Sequence, residues 1–278
     1  MPDSHVIQRA AERIAQADAL VITAGAGMGV DSGLPDFRGR EGFWRAYPAL
    51  AAAGVAFEDI ANPEGFRRHI ERSWGFYGHR LNLYRSTIPH PGFALLRRWG
   101  EAKPGSYTVF TSNVDGQFQR SGVPESNIHE CHGSLHYLQC STPCNPKIWP
   151  AERFKPETDD DACLLLNDWP KCPTCYQPAR PNVLMFGDGE WLEGRQQLQA
   201  EAQRHWLTKV QNPVVIEIGA GTAIPSVRYF GEQIATRHKG ALIRINPRES
   251  AVRRPEDIGL AMGGLDGLKA IAFAMCEG

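Results

Sequence analysis

Long hydrophobic runs are missing from this 278-residue chain. Nothing in it approaches the roughly 20 apolar residues that cross a bilayer. The opening Met1-Pro2-Asp3-Ser4-His5 passes directly into an amphipathic helix pattern, without the apolar segment of a secretion signal. Both absences predict a cytoplasmic protein with no membrane partner. An excess of charge of one sign is missing as well: 30 Lys and Arg stand against 31 Asp and Glu, a net charge of −1. That balance removes the electrostatic footprint by which proteins hold nucleic acid or an anionic lipid surface directly. Internal repeats and low-complexity tracts are absent too, which leaves ordinary globular architecture. The last absence is a single residue. A dinucleotide-binding fingerprint carries three glycines at fixed spacing after a strand. Here Gly25 and Gly27 follow the apolar run Ala19-Leu20-Val21-Ile22-Thr23, but the third position holds Val30.

What is present reads as an α/β chain long enough for one large core and a smaller appendage. Val6, Ile7, Ala10, Ala11 and Ile14 recur at helical spacing over 5–17. Buried parallel strands are predicted over 19–23, 107–111, 214–218 and 241–245, each ending in polar or glycine-rich residues, where α/β proteins keep their sites. A short helix is expected over 91–99. Residues 41–89 lack strand alternation and read as helices, with Asn62-Pro63-Glu64 opening a long one that runs to about residue 85. The economical architecture is a doubly wound parallel, Rossmann-like sheet built from 1–40, 90–135 and 180–278. A small domain would be formed by the helical insertion 41–89 and a zinc-ribbon insertion 136–179.

Seven cysteines is an odd number, and four of them sit in two close pairs, a pattern that favours metal over disulfides in a cytosolic chain. Cys140-Ser-Thr-Pro-Cys144 and Cys172-Pro-Thr-Cys175 bracket a segment rich in Pro, Asp and Lys, with too little apolar content to hold itself together. A structural Zn²⁺ bound tetrahedrally by the four thiolates would organise it. Cys131 and Cys276 read as core or surface thiols.

Four separated blocks carry a family resemblance. In order they are Gly25-Ala26-Gly27 with Ser32-Gly33-Leu34-Pro35-Asp36-Phe37-Arg38-Gly39; Thr111-Ser112-Asn113-Val114-Asp115-Gly116; Glu130-Cys131-His132-Gly133-Ser134; and Arg180-Pro181-Asn182-Val183-Leu184-Met185-Phe186-Gly187-Asp188. Together they resemble the motifs of the sirtuin family of NAD-dependent protein-lysine deacylases, bacterial type, over most of residues 20–250. The resemblance implies NAD as co-substrate, a structural Zn²⁺, and acyl-lysine proteins or peptides as partners. By the same resemblance Gly25, Ala26, Gly27, Ser112, Gly219 and Asn246 face the cofactor, and Asp36, Phe37 and Arg38 form the loop that closes over its ribose. His132 would be the general base, and Asn113 and Asp115 would hold the carboxamide of nicotinamide and order its pocket. Val183 offers backbone groups to the substrate amide, and Phe186 walls the acyl-lysine channel. The implied products are nicotinamide, O-acyl-ADP-ribose and free lysine.

The chain departs from the family pattern at several positions. Gly29 stands for a usual serine and Ser112 for a usual glutamine, the loop after Gly219 is shorter, and the first cysteine knuckle has one residue more, which leaves Cys163 as an alternative ligand. The first two departures lend weight to an NAD glycohydrolase or mono-ADP-ribosyltransferase on the same pocket as the competing reading. A non-catalytic NAD or ADP-ribose sensor is the third. Finally, Tyr77-Gly78-His79-Arg80 resembles the Tyr-x-x-Arg pair of desuccinylase- and demalonylase-type sirtuins, and a spacing of three puts both side chains on one helical face. Succinyl- and malonyl-lysines are therefore expected substrates beside acetyl-lysine.

Overall fold

The structure, a computed structural model, describes residues 4–35, 43–44 and 47–277. In chain order the strands are β1 (Ala19–Ala24), β2 (Tyr107–Thr111), β3 (Ile128–Glu130), β4 (Gly133–Cys140), β5 (Ile148–Pro150), β6 (Thr158–Asp159), β7 (Leu164–Leu165), β8 (Ala179–Val183), β9 (Pro213–Ile218), β10 (Leu242–Ile245) and β11 (Ile258–Leu260). Six of them form one parallel sheet in the order β3-β2-β1-β9-β10-β11. Counted along the chain this is the doubly wound order 3-2-1-4-5-6, which reverses direction between β1 and β9.

β1 and β9 are buried along their whole length, which is why they read as continuous apolar runs rather than alternating ones. Glu217 interrupts β9 yet is fully buried, because Arg244 on β10 meets its two oxygens at 2.6 and 3.1 Å. Along β1, Leu20 and Ile22 face Ile14, Phe93 and Leu268 from helices Ser4–Gln16, Pro91–Glu101 and Gly264–Glu277. Val21 faces the opposite layer, with Ile234 of helix Ser226–Arg237 and Trp206 of helix Gly194–Leu207. The edge strands β3 and β11 have three residues each, too few to display a period in the sequence.

A second core joins the helices of the 48–86 region to an antiparallel sheet of order β5-β4-β8, through residues such as Phe66, Trp74, Tyr77, Leu135 and Val183. The single helix expected from 62 to 85 is instead two, Gly65–Arg68 and Ile70–Ser86, separated at His69 with φ −141° and ψ 54°. Packing explains the break. It turns Phe66 inward until its ring centroid lies 5.7 Å from both Trp74 and Tyr77. No helix among the described residues is long and apolar enough to cross a membrane.

Candidate active site

The C-terminal ends of the parallel strands and the loops of the small sheet enclose a cleft of about 730 Å³, a size typical of cofactor and small-molecule sites. It lies where the strand order reverses. Past β1 the chain enters two short 3₁₀ turns, Ala26–Met28 and Val30–Ser32, rather than a long helix. The third glycine of the usual fingerprint serves close helix-to-strand packing. Among the described residues up to Pro35 these two turns are all that follow β1, and Val30 is exposed. Gly25 and Gly219 lean on the opposing loops. A Cβ on Gly25 would fall 2.8 Å from Ala220 Cα, and one on Gly219, whose φ is +62°, would fall 2.4 Å from the Gly27–Met28 backbone. The Gly27 amide donates to the Gly219 carbonyl at 3.0 Å. Gly25 and Ala26 thus form cleft wall, while Gly27 and Gly219 fasten the two loops behind it. Such a side-chain-free cradle suits the close approach of a dinucleotide's phosphates.

Ser112, Asn113 and Asp115 follow β2 and line the same cleft. Asn113 Nδ2 donates to the Gly25 carbonyl at 3.1 Å and ties the β2 loop to the β1 loop. Asp115 accepts from the Gln117 amide at 2.9 Å. Burial pushes its carboxyl up to about 6 against that hydrogen bond, and the nearby Glu130 charge adds to the rise.

His132 occupies the turn between β3 and β4. Gly133 has φ +78°, and a Cβ there would sit 2.1 Å from the Asn182 carbonyl, so only glycine lets β4 start this close to β8. The His132 carbonyl accepts from the Leu184 amide at 2.9 Å, which ties the histidine to the segment carrying Val183 and Phe186. Burial lowers the His132 pKa below its ordinary value, with a hydrogen bond to the Ser112 backbone acting the other way. The ring is therefore neutral at pH 7 and able to accept a proton.

Across the cleft stand Val183 and Phe186, the latter with its amide on the Ala61 carbonyl at 2.9 Å and its ring edge-on to Phe57 at 5.9 Å. Helix Ile70–Ser86 sends Tyr77, Arg80 and Tyr84 into the same space. The Arg80 guanidinium lies 5.2, 5.9 and 5.4 Å from the ring centroids of Phe76, Tyr77 and Tyr84. Burial pushes the Tyr77 phenol up to about 12, partly offset by Arg80, so it keeps its proton as a donor at neutral pH.

Asn246 has another task than facing the cleft. It is fully buried; its Nδ2 donates to the Ala220 carbonyl at 2.9 Å and its Oδ1 accepts from the Arg248 and Glu249 amides at 3.0 Å each. It clamps the loops after β9 and β10 together. The residues those loops turn into the cleft include Thr222 and Glu249, hydrogen-bonded at 2.7 Å. No sequence signal marks this pair, because two loops must fold together to create it. Tyr84 was findable: it stands four residues beyond Arg80, a helical neighbour. Asp36, Phe37 and Arg38 lie outside the described residues.

Away from the cleft, the Sγ atoms of Cys140, Cys144, Cys172 and Cys175 all lie within 4.8 Å of one another, with Cys140–Cys175 at 3.6 Å and Cys144–Cys172 at 3.7 Å. Four thiolates at ~2.3 Å around Zn²⁺ form a tetrahedron with edges of about 3.8 Å. Donor set and spacing fit a closed, structural zinc site. Cys163, the alternative ligand, packs instead in the second apolar core and is not part of the cluster.

A model of the Sir2 family matches residues 25–247. Among curated relatives, an NAD-dependent protein deacylase of Thermus thermophilus is 28% identical over 269 residues, covering 94% of this chain and 92% of that protein. NAD-dependent protein deacylase 1 of Archaeoglobus fulgidus is 29% identical over 250 residues, 89% of each. In fold the chain is similar to a mutant Sir2 homologue solved with ADP-ribose, at TM-score 0.72, 24% identity and 96% coverage of both chains. It is also similar to a Sir2 homologue–NAD complex, at TM-score 0.68 and 23% identity over 100% of this chain and 95% of that one. The family match takes in the glycine loop, the Asn113–Asp115 loop, His132 and the cysteine cluster, and the chain belongs to the Sir2 family.

Proposed function

We propose that this chain is an NAD-dependent protein-lysine deacylase whose acyl pocket takes acidic acyl groups, succinyl or malonyl, as well as acetyl. One observation carries the reading: a single cleft holds His132, the Val183–Phe186 wall and, from one helix, Tyr77 and Arg80. NAD⁺, when bound, supplies a ribose carbon that accepts the acyl oxygen and nicotinamide as its leaving group. The chain's part is to position and to move protons. His132, neutral because partial burial lowers its pKa, accepts a proton from a ribose hydroxyl. Asn113, fixed to Gly25, and Asp115 orient the nicotinamide end. Val183 and Phe186 hold the acyl-lysine in an apolar channel that excludes water. Beyond that channel the Arg80 guanidinium and the Tyr77 phenol offer charge-assisted hydrogen bonds to a terminal carboxylate. A contact of that kind is worth about 1.5–3 kcal/mol, or roughly 10–100-fold in preference. An NAD glycohydrolase or ADP-ribosyltransferase has no use for a walled channel that ends on a buried cation, which disfavours that alternative.

The test is to incubate the protein with NAD⁺ and acetyl-, malonyl- and succinyl-lysine forms of one peptide and to identify products by mass spectrometry. O-acyl-ADP-ribose, nicotinamide and free lysine peptide in equal amounts are expected. Free ADP-ribose with all peptides untouched would replace deacylation by simple NAD cleavage.

A further inference from the structure

We propose that Tyr84 is a second reader of the acyl carboxylate: it fixes the Arg80 guanidinium in the pocket and donates its own hydroxyl proton to an acidic acyl group. This assignment rests on the acid-acyl reading of the site. Tyr84 stands one turn beyond Arg80 on helix Ile70–Ser86, buried, with its side chain on the cleft wall. Two donors of Arg80 converge on its oxygen, Nε at 3.0 Å and Nη2 at 2.6 Å.

A phenol oxygen has two lone pairs and one proton. With both acceptor positions taken by the cation, the O–H is directed away from Arg80. Among the described residues no hydrogen-bond acceptor takes that proton. Burial raises the Tyr84 pKa, with Arg80 opposing, so the hydroxyl stays protonated in neutral solution. The pocket therefore presents a phenolic donor beside the guanidinium.

The electrostatic setting requires such a donor. Asp115 acts on both Tyr84 and Arg80 through space. A carboxylate entering the pocket meets that like charge, and a second charge-assisted hydrogen bond helps to offset it. A neutral acyl chain leaves the same donor buried without an acceptor, which is unfavourable in its own right. Tyr84 thus favours lysine amides of dicarboxylic acids from both directions.

The experiment compares kcat/KM for succinyl- and butyryl-lysine forms of one peptide, which differ by a carboxylate in place of a methyl. It uses wild type, Tyr84→Phe and Arg80→Met, each with its melting temperature. Tyr84→Phe is expected to lower the succinyl-to-butyryl ratio by about 10-fold, chiefly through KM for the succinyl peptide. If Tyr84→Phe melts below the assay temperature, Tyr84→Met, which also lacks the hydroxyl, reads the same ratio. A Tyr84 variant that slows both substrates equally, or leaves the ratio within twofold while Arg80→Met collapses it, overturns the role of Tyr84 and leaves the acid-acyl reading standing. A ratio unmoved by Arg80→Met removes that reading and this assignment together.

Discussion

His132 combines a half-buried ring with a backbone locked by Gly133, and both properties bear on how it titrates. Burial lowers its pKa, so protonation, which destroys the base, occurs only as pH falls below the ordinary histidine value near 6.5. The acid limb of kcat/KM is expected below pH 6.5, and His132→Ala is expected to lose about 10²–10⁴-fold in deacylation. A pH–rate profile and a comparison of the two proteins check both; deacylation within a few-fold of wild type in the variant would remove His132 from the mechanism. Asp115 has the opposite sign. Its folded value of about 6 lies above the unfolded value near 3.8, so the native state holds the proton longer than the unfolded chain does. Stability from this group falls as pH rises between those two values, and the full cost, about 3 kcal/mol, is present above pH 6. Asp115→Asn is expected to melt higher than wild type at pH 8, with the gap closing toward pH 4, while kcat/KM drops. Equal melting curves at pH 8 would show that the carboxylate carries no such cost.

At the scale of elements, the cysteine knuckles do for the small sheet what apolar area does for the large one. Cys140 ends β4 and Cys172 and Cys175 precede β8, so a metal held by them pins the two strands that also carry His132 and Val183 at their other ends. Zinc analysis is expected to give one ion per chain. Cys163→Ala keeps that ion, whereas Cys144→Ser loses it or binds it weakly, with a lower melting temperature. Zinc lost from the Cys163→Ala chain would reverse the ligand assignment. Buried ion pairs brace the same region. Arg180 at the start of β8 meets Asp188 through two 2.8 Å contacts, and Asp188 in turn accepts from the Met185 amide at 3.3 Å, which shapes the Val183–Phe186 wall from behind.

For the whole molecule, the cleft is shared property. Its floor comes from loops of the parallel sheet and its far wall from helix Ile70–Ser86 and the end of β8. A ligand that fills it links the two cores and stabilises the folded chain by mass action, about 2.7 kcal/mol at 100 times its dissociation constant. NAD⁺ at that excess is expected to raise the melting temperature by several degrees. The His132→Ala chain should show the same rise, because its defect lies in proton transfer. No shift at millimolar NAD⁺ in either protein would count against the cleft as the dinucleotide site.

How much of this was legible in the sequence follows from the range over which each feature is determined. Fully buried strands announce themselves locally, since β1, β2, β9 and β10 are nearly unbroken apolar runs. The glycine loop, His132, the two cysteine pairs and the three-residue spacing of Tyr77 and Arg80 are likewise short-range patterns, readable without a partner. Other features required the chain to fold before they existed. The His69 break depends on where Phe66 finds its aromatic neighbours, and the exclusion of Cys163 depends on which core that thiol enters. Asn246 directly follows β10 as expected, but the carbonyl its amide meets, that of Ala220, lies 26 residues away on another loop, and the Thr222–Glu249 contact joins those loops across 27 residues. A periodic pattern records what one element buries. Which polar group meets which is decided by elements distant in sequence, and so belongs to the tertiary structure alone.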